Sequence, residues 1–231
     1  MTNIKLVEHC KIALQQKWGY VYGTFGTVLT EPLLQQKLKQ YPSNVKIYEA
    51  FIRQNWMNKR VVDCVGLIKS YLWWNGGNVK YTPNQDKSAN GMYQSAKEKG
   101  PLNTIPEIPG ILVWKDGHIG VYIGNGQVIE SRGTKQGVIQ SPLKDSGSAG
   151  WTNWCKCLYI EYIEEKSIPS TTKLPSNKLK INIFGRNITV EGYLKDGVNY
   201  AKIGDSYIPI RTIFESMGLN VTWNNGVMID E

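Results

Sequence analysis

The chain is poor in the side chains that most often bind metals or cross-link small folds. Its 231 residues include two histidines, His9 and His118, and four cysteines, Cys10, Cys64, Cys155 and Cys157. Two imidazoles leave "WCKC" (154–157) without a second half for a zinc site, and its one-residue gap is not the usual ligand spacing. No metal or other cofactor is expected. Four cysteines are also few for a disulfide scaffold of this length, so the thiols read as free. No apolar run is long enough to span a bilayer. No block of consecutive basic residues marks a nucleic-acid arm. The opening stretch, "MTNIKLVEHCKIALQQKWG", reads as an amphipathic helix without a small-residue cleavage site. The expectation is a protein made in the cytoplasm without an export signal.

What the chain does have is positive charge, a formal +8. Residues 1–164 hold 19 basic and 12 acidic side chains, a net of +7, and the remainder holds 8 and 7, a net of +1. An anionic polymer would therefore dock on the first part. The spacing of apolar residues predicts helices over 1–17, from "TEPLLQQKLKQY", and from "PSNVKIYEAFIRQNWMNK". Another helix starts at Asp63 and is expected to stop at "NGG" (75–77). From residue 110 the period changes to two. "GILVWKDGHIGVYIGNGQVIES" reads as three strands joined by Asp-Gly and Asn-Gly turns, and "KCLYIEYIE" as a further strand. Helices followed by an antiparallel sheet make an α+β fold. The polar, proline-bearing segment 165–178 reads as a linker to a small second domain at 179–231, with strands near "KINIFG", "NITVEGYL" and "NVTWN" and a helix near "IPIRTIFESMG".

One stretch carries chemistry. In "VVDCVGLIKSYLWW" (61–74), Cys64 opens a helix that has Asp63 as its N-cap and Leu67, Ile68, Tyr71 and Leu72 on its apolar face. Unpaired amides and the helix dipole favour an anion there, so the thiol is expected to have a lowered pKa and to be the most reactive of the four. A thiolate nucleophile also needs a base. His9 falls mid-helix, whereas His118 opens a strand after a tight turn, from which it can project toward a helix end.

"DCVGL" followed by "GHIGVYIGNGQVIES", with "GYVYG" upstream, resembles the NlpC family of papain-like peptidoglycan peptidases. The resemblance covers most of residues 1–164. It implies Cys64 as nucleophile, His118 as general base and Tyr20 as the phenol near the oxyanion. Asp63 and Tyr22 would be substrate contacts, and the residue orienting the imidazole falls on Glu130. That position is often histidine in the family, but a carboxylate can accept the ring N–H equally well. Val65 replaces the family's usual serine. Residues 25–60 form an insertion whose Phe51 and Trp56 read as core. The tail "YAKIGDSYIPIRTIFESMGLNVTWNNG" resembles the domain named for the copper amine oxidase N-terminus, which implies wall binding or assembly, with no histidine present to bind copper. A wall-lytic domain with no export signal resembles a phage endolysin.

The resemblance implies a cysteine peptidase acting on cell-wall peptidoglycan, at the bond between D-glutamate and the diamino acid. N-acetylmuramoyl-L-alanine amidase activity and a non-catalytic wall-binding module are the alternatives. Glu130 depends on one hairpin. A two-residue Asn125-Gly126 turn carried through the strands would put Glu130 opposite Val121, away from His118. A three-residue loop, Gly124-Asn125-Gly126, would pair Ile123 with Gln127 and put Glu130 opposite Gly120, on the His118 face. The second register gathers Ile119, Val121, Ile123 and Ile129 on one face. The three-residue loop is therefore expected, with Glu130 hydrogen-bonded to His118.

Overall fold

The computed structural model describes residues 1–163 and, beyond them, 177–183, 186–195, 198–203, 206–210, 214, 220–223 and 227–230. The chain divides into two compact units, Met1–Glu165 and Lys166–Glu231. The first unit is α+β. Its helices are α1 (Asn3–Gln15), α2 (Glu31–Gln40), α3 (Pro42–Val45), α4 (Glu49–Asn55), α5 (Cys64–Leu72) and α6 (Ala89–Ser95). Strands β1 (Phe25–Val28) and β2 (Arg60–Val62) pair with each other, as do β3 (Trp74–Asn75) and β4 (Asn78–Val79). The remaining strands are β5 (Lys99–Pro101), β6 (Leu112–Lys115), β7 (His118–Gly124), β8 (Gln127–Gly133), β9 (Gly137–Pro142) and β10 (Asn153–Cys155). They form one antiparallel sheet in the order β5-β10-β6-β7-β8-β9.

Side-chain alternation gives the sheet two apolar faces. Ile119, Val121 and Ile129 are fully buried with Leu67 and Ile68 of α5 and with Leu6 and Cys10 of α1. The opposite face buries Val113, Tyr122 and Val128 with Trp151. A third cluster is built by the insertion, where Leu34, Val45, Ile52 and Trp56 pack together with half-buried Phe51 alongside. These two aromatics are thus core residues, and the Trp56 indole donates to the Thr134 carbonyl at 2.7 Å.

Three local expectations are corrected. The "NGG" segment does not stop α5, which ends at Leu72 with Trp73 as its C-cap. Asn75 pairs with Asn78, and Gly76 and Gly77, both at positive φ, form the turn of the β3–β4 hairpin. Consecutive glycines between two short extended runs serve a hairpin turn better than a helix cap. "KCLYIEYIE" is not a strand either. The strand precedes it, at Asn153–Cys155, and residues 156–160 turn so that the Cys157 amide donates to the Tyr162 hydroxyl at 2.8 Å. The single helix expected over 42–59 is broken into α3, a 3-10 turn at Lys46–Tyr48, and α4.

In the second unit, β11 (Asn177–Ile183) pairs antiparallel with β12 (Arg186–Lys195) and parallel with β16 (Val227–Asp230). With β13 (Val198–Ile203), β14 (Ser206–Pro209) and β15 (Asn220–Trp223) the order is β14-β13-β12-β11-β16-β15. Of the helix expected near 208–218, Ile208 and Pro209 instead end strand β14, and apart from Ile210 and Phe214 the rest lies outside the described residues. The linker expected over 165–178 lies outside them through 176, while Asn177 and Lys178 open strand β11. Among the described residues no helix is long and apolar enough to cross a membrane.

His9 is half-buried in an aromatic box. It bonds the Ser70 hydroxyl at 2.8 Å and meets Trp18 and Trp74 edge-on. Arg60 lies over both indoles. Burial, then the Arg60 charge, lower its pKa from 6.5 to about 4. The unfolded chain therefore binds the proton more readily, and the stability from neutral His9, full above pH 6.5, drains away as pH falls toward 4. From that window, the wild type should lose on the order of 2–3 kcal/mol between pH 7 and 4 that a His9→Gln variant does not lose. Urea denaturation of both proteins at the two pH values measures it.

Candidate active site

Packing fixes the start of α5. Asp63 is extended and caps α5. Its Oδ1 accepts from the Gly66 amide at 2.6 Å and its Oδ2 from the Gly23 amide at 2.8 Å. One buried carboxylate thus ties the helix start to the aromatic-glycine segment. Gly66 makes the closeness possible, because a Cβ there would stand 1.9 Å from the Thr24 carbonyl oxygen. Burial raises the Asp63 pKa, and the two amide bonds oppose it. With both oxygens on backbone amides, Asp63 shapes the site, and it also lines the cavity beside Cys64.

Cys64 follows the cap and is half-buried. Its Sγ stands 4.0 Å from the Gly117 carbonyl oxygen. The backbone amides of Val65 and Ile119 also point toward it. The thiol therefore lies against the backbone on either side of His118. Its pKa is not lowered as expected. Burial, then the Asp63 charge, push it up to about 12, outweighing the amide donors. The cap that forms the helix start also sets a negative charge beside the sulfur, an opposition that the dipole argument omits. Burial pushes up Cys155 to about 12 and Cys157 to about 11 as well.

The hairpin gives the expected register by an unexpected route. Gly124 pairs with Gln127, so the turn is the two-residue Asn125-Gly126, both at positive φ. The three-residue loop is thereby corrected. Yet Tyr122 pairs with Val128 and Val121 with Ile129, because a bulge at Ile123–Gly124 inserts one residue into β7. The shift puts Glu130 opposite Gly120. Glu107 holds this corner, accepting from the Asn125 amide at 2.7 Å and the Tyr122 hydroxyl at 2.5 Å.

On that face the Glu130 carboxylate meets the His118 Nε2 at 2.7 Å. Its other oxygen accepts from Arg132 Nη2 and Ser141 Oγ, both at 2.5 Å. Glu130 is fully buried. Burial alone would raise its pKa, but the bonds from His118, Arg132 and Ser141 prevail and hold it at about 2. It is an anion at any working pH. Trp151 stacks on the imidazole with centroids 5.1 Å apart and planes 8° from parallel. Gly120 leaves room for that indole, since a Cβ would meet it at 3.0 Å. From α6, Asn90 fixes the preceding turn: its Oδ1 accepts from the Gly117 amide at 2.8 Å and its Nδ2 donates to Asp116 at 2.7 Å. Arg132, Ser141, Trp151 and Asn90 were not singled out by sequence reasoning. Each lies far along the chain from the residue it supports or lacks a motif, although the Gly120 gap beside a histidine is a signal of sorts.

Cys64 opens onto a cavity of about 620 Å³, lined also by Tyr22, Gly23, Tyr41, Asp63, Lys69 and Asp86. Helix α2 of the insertion supplies Gln36, Lys37 and Gln40. Tyr22 is exposed at this cavity, its ring 5.1 Å from that of Tyr41. Tyr20 is half-buried, and burial followed by the Cys64 charge raises its pKa, so its hydroxyl keeps its proton. Among the described residues no cluster of His, Cys, Asp or Glu could hold a metal ion.

A search of curated proteins finds no match. Among solved structures the chain is similar to the peptidoglycan hydrolase RipB from Mycobacterium tuberculosis, at 16% identity over 69% of this chain and 67% of that one, with a TM-score of 0.37. It is also similar to the P60 domain of an antigen from M. avium subspecies paratuberculosis, at 17% identity over 69% of this chain and 98% of that one, with a TM-score of 0.37. The model of the NlpC/P60 family matches residues 53–156. The segment similar to the NlpC/P60 family therefore holds Cys64, His118 and Glu130, and Tyr20 and the α2 wall of the cavity precede it.

Proposed function

We propose that this protein is a peptidoglycan hydrolase that cuts stem peptides with Cys64 as nucleophile. The observation that carries the reading is the joint placement of Cys64 at the mouth of a cavity and against residues 117–119, with His118 held by a buried, ionised Glu130. An anionic Glu130 keeps the proton on Nε2, which donates to it, and leaves Nδ1 free to accept another. The thiol is protonated at neutral pH, so it becomes a nucleophile by giving its proton to His118 as the peptide carbonyl arrives. The sulfur then bonds to the carbonyl carbon, the C–N bond breaks, and His118 passes the proton to the leaving amine. Water, deprotonated by His118, attacks the thioester and frees Cys64. The protonated Tyr20 hydroxyl and the amides at the start of α5 are donors for the oxyanion.

The bond we assign is that between D-glutamate and the diamino acid, and the setting is that of an endolysin. Residues 179–231 serve as a wall-binding or assembly domain like that of the copper amine oxidase N-terminus. Mass spectrometry of soluble muropeptides after digestion tests the assignment. The expected products are a dipeptide ending in glutamate and a fragment with a new amino group on the diamino acid. A free alanine amino terminus would instead mark an amidase, and uncut muropeptides a binding module.

A further inference from the structure

The cavity beside Cys64 holds an uneven set of charges. Asp63 spends both oxygens on backbone amides. Asp86 accepts from the Lys69 ammonium at 2.5 Å and from the Tyr81 hydroxyl at 2.8 Å. Lys37, from the inserted helix α2, is different. It is only 6% exposed, yet its ammonium makes one hydrogen bond, to Gln40 Oε1 at 3.0 Å, and among the described residues no ion pair. Its Nζ also lies over the Tyr41 ring, 5.5 Å from the centroid. Burial lowers its pKa, and the Asp63 and Asp86 charges, acting at longer range, oppose that shift and favour the ammonium. An ammonium has three donors, so two are left over beside the cavity that Lys37 lines. Buried charges are ordinarily paired, and an unpaired one lining a cavity calls for a ligand anion.

We infer that Lys37, steadied by Gln40, binds a free carboxylate of the substrate and so selects stem peptides whose glutamyl residue keeps its α-carboxylate over those in which it is amidated. The inference rests on the peptidase reading for the identity of the substrate. The chemistry fits it, because a glutamyl residue joined through its side chain carries its α-carboxylate a few bonds from the scissile carbonyl. On this view the insertion is a specificity element: it adds a third core behind the cavity and an ammonium in its wall.

The test compares two muropeptides, alanyl-glutamyl-diaminopimelate with a free α-carboxylate and its α-carboxamide. A charge-assisted hydrogen bond corresponds to about a 10- to 100-fold preference in kcat/KM for the carboxylate by the full-length wild type, residing mainly in KM. Lys37→Met should bring the ratio to about one, Lys37→Arg should keep part of it, and Lys39→Met, at an exposed position on the same helix, should keep all of it. Persistence of the preference in Lys37→Met, or its absence in the wild type, would overturn the inference. Calorimetric binding of both peptides to Cys64→Ala, with and without Lys37→Met, needs no turnover. Lys37-dependent tighter binding of the carboxylate form without cleavage by the wild type would keep this subsite and sink the peptidase reading. Equal binding of the two forms would sink the subsite.

Discussion

Cys64→Ala should abolish hydrolysis of soluble muropeptides, with kcat falling by at least about 10⁴, while the peptide still binds. No second thiol can substitute, because Cys10, Cys155 and Cys157 are buried, whereas Cys64 opens onto the cavity. The fold should tolerate the change well. Cys64 is half-buried and its Sγ meets backbone groups, the Gly117 carbonyl at 4.0 Å and the Val65 and Ile119 amides. Turnover assays beside a binding titration read both halves. A Cys64→Ala protein that cuts at even a hundredth of the wild-type rate would assign the nucleophile elsewhere.

Glu130 variants carry the second large effect, and two of them separate chemistry from stability. Glu130→Ala leaves the Arg132 guanidinium, the Ser141 hydroxyl and the imidazole without their shared acceptor in a buried site. Breaking such a pair typically costs about 3–5 kcal/mol of stability. Glu130→Gln keeps the volume. If its oxygen continues to accept from Arg132 and Ser141, its NH₂ faces Nε2 and forces the imidazole into the tautomer with the proton on Nδ1. That tautomer cannot take the thiol proton. Both variants should therefore lose on the order of 10²–10⁴ in kcat, with Glu130→Gln much the more stable of the two. Equal activity in Glu130→Gln and wild type would show that the carboxylate does not set the tautomer. The Glu130 pKa also fixes a pH window. Held at about 2 in the fold against an ordinary 4.5, it contributes stability that is full above pH 4.5 and disappears as pH falls toward 2. Glu130→Gln should lack that acid-side slope.

The elements legible in the sequence are those set by local rules. Asp63 as cap, Cys64 as the first residue of α5, and the strands around His118 follow from capping and periodicity. The hairpin shows where local rules stop. Asn125-Gly126 forms the two-residue turn that its chemistry favours, yet the core demands the register of a longer loop, and the bulge at Ile123–Gly124 reconciles them. Nothing local to those residues announces a bulge. It is selected by the burial of Ile119, Val121 and Ile129 against α5 and α1. The Cys64 pKa is another such case. The helix start acts as expected, but desolvation and Asp63 act against it, and their balance depends on three-dimensional packing. Trp151 on the imidazole, Asn90 under the 116–117 turn and Lys37 in the cavity wall arise from long-range contacts that no spacing in the chain reports.

If the Cys64 thiol performs the reaction, graded alkylation must remove activity and thiol together. Full-length protein is treated with iodoacetamide for increasing times, residual turnover of a soluble muropeptide is measured, and peptide mapping by mass spectrometry gives the labelled fraction at each cysteine. Activity should fall in one-to-one proportion with label at Cys64, and muropeptide should protect both together. Full activity with Cys64 completely labelled, or a loss that follows Cys155 or Cys157 instead, would contradict that role of Cys64.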